Sequence, residues 1–172
     1  MRATGLSRLL LSVWCAMAGP AFGQVEIVDE RGTLRGIEGV MVLVERMDVA
    51  AEWRGLTSAA LQTDVEERLR AAEIPILIED GQPHPVLYVR IEVRAGRDKR
   101  RGVFAVTSLL QLSQAVTLAR NPNLLGLATT WATHGALRIY EEEELPAVHE
   151  SLRALTDRFA EAYRTANPPP SP

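Results

Sequence analysis

The sequence predicts an α+β domain, a two-layer α/β sandwich in β-α-β-β-β-α order, and three observations carry that prediction. Residues 86–95 alternate without a break, Leu87, Val89, Ile91, Val93 and Ala95 against Tyr88, Arg90, Glu92 and Arg94. That is the pattern of a strand with one buried face and one wet face. Leu61, Val65, Leu69 and Ala72, and later Val148, Leu152, Leu155, Phe159 and Ala162, recur every three or four residues, the spacing of a helix that lays one stripe on a sheet. Two further segments, 103–119 and 128–140, alternate again. The sheet is expected to be mixed and mostly antiparallel, with both helices on one face.

The elements follow in order. Arg2 and Arg8 precede the apolar run Leu9–Ala18, Gly19-Pro20 breaks it, and Ala21-Phe22-Gly23 has the small residues a signal peptidase reads. Residues 1–23 are therefore read as a secretory signal peptide, the run being shorter than the roughly 20 residues a bilayer span needs. Cys15 lies inside that run behind the bulky Trp14, an arrangement that argues against a lipidated N-terminus. Residues 24–36 remain ambiguous, an edge strand on Val25 and Ile27 loosened by Gly32 and Gly36.

A single domain is expected over 37–166. Val40–Val44 reads as a central strand covered on both faces. Thr57 or Ser58 caps a helix over 57–73, with Leu56 stapled onto Leu61. Ile74, Ile76 and Ile78 suggest a short strand, placed at an edge or a strand start by Pro75. This strand, the first one and the helix between them would form a parallel crossover unit. A loop at 96–102 leads into the long strand over 103–119, bent near Ser113 and ended by a turn at Asn121-Pro122-Asn123. The last strand, 128–140, carries Thr129, Trp131, Thr133, Leu137 and Ile139 on one side and a bulge or close approach at Gly135. Glu141–Glu144 and Pro146 suit the first turn of the final helix. Asn167–Pro172 would end that helix and form a disordered proline-rich tail.

The stretch Leu-Thr-x-x-x-Leu-x-x-x-Val-Glu-x-x-Leu-Arg (56–70) and the terminal Leu-x-x-Leu-x-x-x-Phe-x-x-Ala-Tyr (152–163) resemble those of small exported bacterial domains of unknown function. The element order is similar to that of the lipopolysaccharide-assembly outer-membrane lipoprotein and of the N-terminal domain of the Tol translocation protein. The resemblance spans most of 36–166 and implies an accessory of the cell envelope, in the periplasm or secreted. It transfers no functional residue, because it is one of topology and pattern.

Composition narrows the function classes. Without Arg2 and Arg8 the 19 basic residues become 17 against 22 acidic, a net charge of −5, which disfavours generic nucleic-acid binding. Cys15 is the only cysteine, so the mature chain has no disulfide and no thiol nucleophile. His84, His134 and His149 lack the spacing that would put two on one metal, and no catalytic motif is present. A non-enzyme without cofactor is therefore expected. A hydrolase assembled through the fold would need a serine among Ser58, Ser108, Ser113 and Ser151.

The sharpest local feature is the basic loop. Arg94, Arg97, Lys99, Arg100 and Arg101 crowd one hairpin end of an acidic protein. They read either as a charged tip that discourages edge pairing or as a contact for an anionic glycolipid or an acidic partner surface. Trp53, before the first helix, is the other candidate contact, and charge reversal at Arg97, Arg100 and Arg101 is expected to weaken binding without unfolding. The alternative function is a periplasmic carrier that holds a small apolar ligand between sheet and helices. No transmembrane segment is expected after signal cleavage. An edge strand near Pro75 or at 25–28 offers a homodimer contact.

Overall fold

A computed structural model describes residues 29–47, 52, 55–96 and 102–169. The expected signal peptide, Trp53 and the loop residues Arg97, Lys99, Arg100 and Arg101 lie outside the described residues. The chain runs from a 3-10 turn (Gly32–Leu34) into β1 (Met41–Val44), α1 (Ser58–Ala71), β2 (Val86–Ala95), β3 (Val103–Leu118), β4 (Asn121–His134) and β5 (Arg138–Glu141). A second 3-10 turn (Glu142–Glu144) then leads to α2 (Ala147–Ala166). Among the described residues five strands form one sheet in the order β1-β2-β3-β4, with β5 also on β3. Only β1 and β2 are parallel; the other pairs are antiparallel. The α+β sandwich predicted from periodicity is the fold.

Each helix forms where the sequence supplies a start and a stripe. Thr57 caps α1, its Oγ1 accepting from the Ala60 N–H at 3.1 Å. This satisfies one of the amide groups that a helix start leaves free. Leu61, Val65 and Leu69 are fully buried along one side of α1, and Val148, Leu152, Leu155 and Phe159 along one side of α2. Against them the sheet presents Leu87, Val89, Ile91, Phe104, Val106, Leu110, Leu112 and Trp131, all buried. Trp131 meets the Phe159 ring edge-on, with centroids 5.2 Å apart at 70°, a favoured aromatic geometry. Among the described residues, the other face of the sheet carries no helix.

Several expectations are corrected. The segment Ile74–Ile78 is not a strand; it touches the sheet through one parallel bridge, Val40↔Ile76. The crossover therefore joins β1 to β2, in register from Met41↔Val86 to Val44↔Val89. Pro75, which has no N–H, lends only its carbonyl, which accepts from Val40 N–H at 3.0 Å. The strand at 40–44 is not central and covered: among the described residues Met41–Val44 pair only with β2, Val40 adds the one bridge to Ile76, and Leu43 is 54% exposed. Asn121-Pro122-Asn123 begins β4 rather than ending β3, and the two-residue turn is Ala119-Arg120. Pro122 is tolerated there because β4 is an edge strand.

The last strand divides in two. Gly135–Leu137 interrupts it, and Gly135 N–H donates to Ser108 O at 2.8 Å; a Cβ at Gly135 would lie 3.3 Å from Ser108 Cβ. The expected close approach at this glycine is thus present. A register shift lies at Leu112/Ser113, where the bend was expected. It leaves Thr130 as the extra residue of β4. Thr129 consequently pairs with Ser113, while Trp131 pairs with Leu112, so the two no longer share a side as simple alternation requires. Glu142–Glu144 form their own 3-10 turn, and α2 starts beyond it at Ala147.

The described part of the ambiguous 24–36 segment belongs to the domain. Leu34 is fully buried. Gln114 Nε2 donates to Thr33 O at 3.0 Å and to Thr130 Oγ1 at 2.6 Å, which ties the N-terminal turn to the bulge in β4. Asn167 ends α2 as expected and also holds this segment, donating to Leu34 O at 2.9 Å and accepting from Gly36 N–H at 2.7 Å.

Candidate functional site

The helix-free face of the sheet is where chemistry is displayed, and strand register places its residues. Leu43, Tyr88, Gln111 and Ala132 form one row across β1 to β4; Arg90, Leu109 and His134 form the next. Glu92 faces Thr107, and Arg94 faces Ala105, which in turn faces Ile139. The alternation of 86–95 is realised as read, with Tyr88, Arg90, Glu92 and Arg94 on this open side.

Charge on this face is internally matched. Arg90 pairs with Glu45 at 3.2 Å and with Glu92 at 2.5 Å, and Arg94 reaches Glu92 at 3.7 Å. Hydrogen bonding to the Glu45 carboxylate, then burial and that carboxylate's charge, raise the Tyr88 hydroxyl above its ordinary value. These pairs are half-exposed and each adds little stability, but they give both described arginines of this face a carboxylate partner. Of the six candidate contact residues, only Arg94 is described. It stands at the end of the face next to the basic loop, whose base is closed by Gly96 N–H donating to Val103 O at 2.8 Å.

Between and beyond the ion pairs the face is apolar. Leu43, Ile139, Leu125 and Leu127 are 54%, 63%, 64% and 75% exposed. Leu125 and Leu127 oppose Thr117 and Ala115, past the last pair of β2 with β3 at Val86↔Ser113. This end of the β3–β4 hairpin therefore projects from the sheet as a two-stranded arm, and Leu124 on it is 49% exposed. Isolated surface leucines are ordinary; several sharing one uncovered face mark an interaction site. The sequence predicts that this second face is open, solvated or used for a partner, but it does not reveal these residues: five apolar residues at 40–44 look covered on both sides, and the register shift that sets the outward side of β4 has no local signal.

Elsewhere, two of the predicted histidines and two of the predicted serines bond within the fold. Asp64 and His149 bond between α1 and α2, His149 Nδ1 to Asp64 Oδ2, and Arg153 donates to the other carboxylate oxygen at 2.6 Å. No sequence signal joins these residues, which lie 85 and 89 positions apart. His84 bonds Asp80 within its turn at 2.7 Å. Ser58 Oγ accepts from Met47 N–H at 3.3 Å, and Ser151 bonds Tyr140 at 3.1 Å. Among the described residues no cluster of His, Cys, Asp and Glu could hold a metal, and no helix is long and apolar enough to cross a membrane.

An open sheet backed by two helices, with one face displayed, defines a two-layer α+β domain. No family model and no curated protein sequence matches the chain. Among solved structures it is similar to a minor lipoprotein from Acinetobacter baumannii, at 13% identity over 75% of this chain and 92% of that one, with a TM-score of 0.29. A superposition this loose equates no residue of the two proteins.

Proposed function

We propose that this protein is an exported accessory module of the bacterial cell envelope that binds a protein partner on the helix-free face of its sheet. The observation that supports the reading is the set of exposed apolar side chains there: Leu43, Ile139, Leu125 and Leu127. Covering them removes apolar surface from water, the main driving force of association. The neutralised arginines favour a protein over an anionic lipid, since Arg90 and Arg94 already have carboxylate partners on the same face. The basic residues at 97–101 follow Arg94 closely in the sequence, and their charge would steer an acidic partner. Export rests on the first 23 residues.

The test is site-specific photocrosslinking in the envelope of living cells. A photoreactive residue at Leu43 or Ile139 is expected to capture one discrete protein, while the same probe at the exposed Glu67 or Glu161 of the helical layer captures none. Capture from the helical layer alone, or from no position, overturns the reading. Charge reversal at Arg97, Arg100 and Arg101 is expected to weaken the crosslink without unfolding the domain.

A further inference from the structure

A pocket of about 120 Å³ lies between α2 and the strand pair β3–β5, at the break that Gly135 makes between β4 and β5. Its construction follows from the local sequence. Val148, Ser151, Leu155 and Arg158 share one stripe of α2 and line it. Arg138 stands opposite Val106, and Tyr140 opposite Phe104, on the helix-facing side of the sheet. Gly135, Ala136 and Ala154 leave the space open by having little or no side chain.

The polar groups in this pocket are donors without an acid to receive them. No carboxylate lines it. Arg138 and Arg158 are exposed on its walls, and neither pairs with a carboxylate among the described residues. Tyr140 and Ser151 bond each other at 3.1 Å; two hydroxyls carry two protons, so one remains to donate. Ser108 is 7% exposed, lines the pocket, and makes no side-chain hydrogen bond to another described residue. Two guanidinium groups and two spare hydroxyl protons around an apolar floor suit an anion with a hydrocarbon stem, because guanidinium binds a carboxylate through paired hydrogen bonds.

Size limits the stem. A cavity of about 150 Å³ admits the six carbons of benzene, so one of about 120 Å³ takes roughly five non-hydrogen atoms, with a carboxylate oxygen left at the open mouth. We propose that this pocket binds a short-chain carboxylate, with its stem on Val106, Val148 and Leu155 and its carboxylate held by Arg138 and Arg158. This site is on the opposite side of the sheet from the docking face and stands independently of it.

The experiment is an amide NMR titration of the full mature chain with sodium butanoate, butan-1-ol and inorganic phosphate as separate probes. Butanoate is expected to shift the Ser108, Gly135 and Ser151 amides saturably, and butan-1-ol at equal concentration is not. Arg138→Gln and Arg158→Gln are each expected to weaken butanoate about ten-fold, the loss of one charge-assisted hydrogen bond. Ala154→Leu, at an exposed helix position, should close the mouth and abolish the shifts while the melting temperature holds. Absence of a saturable butanoate response, or an equal response to butan-1-ol, overturns the proposal. Phosphate binding tighter than butanoate also overturns it, by removing the role of the stem.

Discussion

Asp64 is 8% exposed at the seam of α1 and α2, and both of its carboxylate oxygens are used, one by His149 and one by Arg153. Burial pushes this carboxyl up, but the hydrogen bonds from Arg153 and His149 and their charges together outweigh it, and its pKa is lowered. A carboxyl with a lowered pKa binds its proton more weakly in the folded chain than in the unfolded one. Its contribution is therefore complete above the unfolded value of about 3.9 and is lost as pH falls through the lower folded value. Asp64→Asn is expected to cost about 1–3 kcal/mol near neutral pH. Urea unfolding across a pH series should show that the gap between variant and parent holds down to about pH 4 and narrows progressively below it. A gap that persists unchanged into acid would show that the carboxylate charge is not what matters. His149 also shows the limit of residue-level reading: on the helical wheel it falls on the polar side, and only the neighbouring helix reveals its partner.

At the scale of elements, close backbone approaches decide where strands stop. A Cβ built on Gly39 would lie 2.5 Å from Pro75 O, whereas one on Gly126 meets nothing within 4 Å. Gly39→Ala must therefore push apart the Val40↔Ile76 bridge, at an expected cost of about 1–3 kcal/mol. Gly126→Ala should be neutral or slightly stabilising, because it only restricts the unfolded chain. Chemical denaturation of both variants checks the contrast, and equal effects would mean that the Gly39 contact is unimportant. The strand 86–95 was legible to the residue because one buried face imposes a period of two. β1 was misread as central because five apolar residues in a row look alike whether one face or two are covered. The bulge at Thr130 was invisible, since its extra residue is tolerated through Thr33 and Gln114, the latter 16 positions away from it.

For the whole molecule, Phe159 is the keystone between layers. It is fully buried, edge-on to Trp131 and 6.3 Å from the Tyr163 ring centroid. Phe159→Ala is expected to cost about 3–5 kcal/mol, a large part of the roughly 5–15 kcal/mol that holds a domain of this kind. Leu127→Ser, on the exposed arm, should change stability by no more than about 0.5 kcal/mol. Equilibrium unfolding separates the two classes, and a large loss at Leu127 would mean that the arm is structural rather than displayed. This asymmetry, a tightly packed helical side and an apolar open side, is the property on which the proposed docking rests.

The sequence by itself determined the fold class, the strand at 86–95, the two helical stripes, a helix cap at Thr57 or Ser58 and a bulge or close approach at Gly135. Each depends on neighbours a few positions away, where backbone geometry imposes a period or forbids a side chain. Only the tertiary structure decided that β2 rather than Ile74–Ile78 is the parallel partner of β1, that Asp64 meets His149 and Arg153, and that leucines on β1 and β4 share an uncovered face. It also decided where Ser108, Arg138, Ser151 and Arg158 converge on one pocket. Those facts depend on which side chains fill the space between layers, and that choice is made by packing across the whole chain, with no trace in local periodicity.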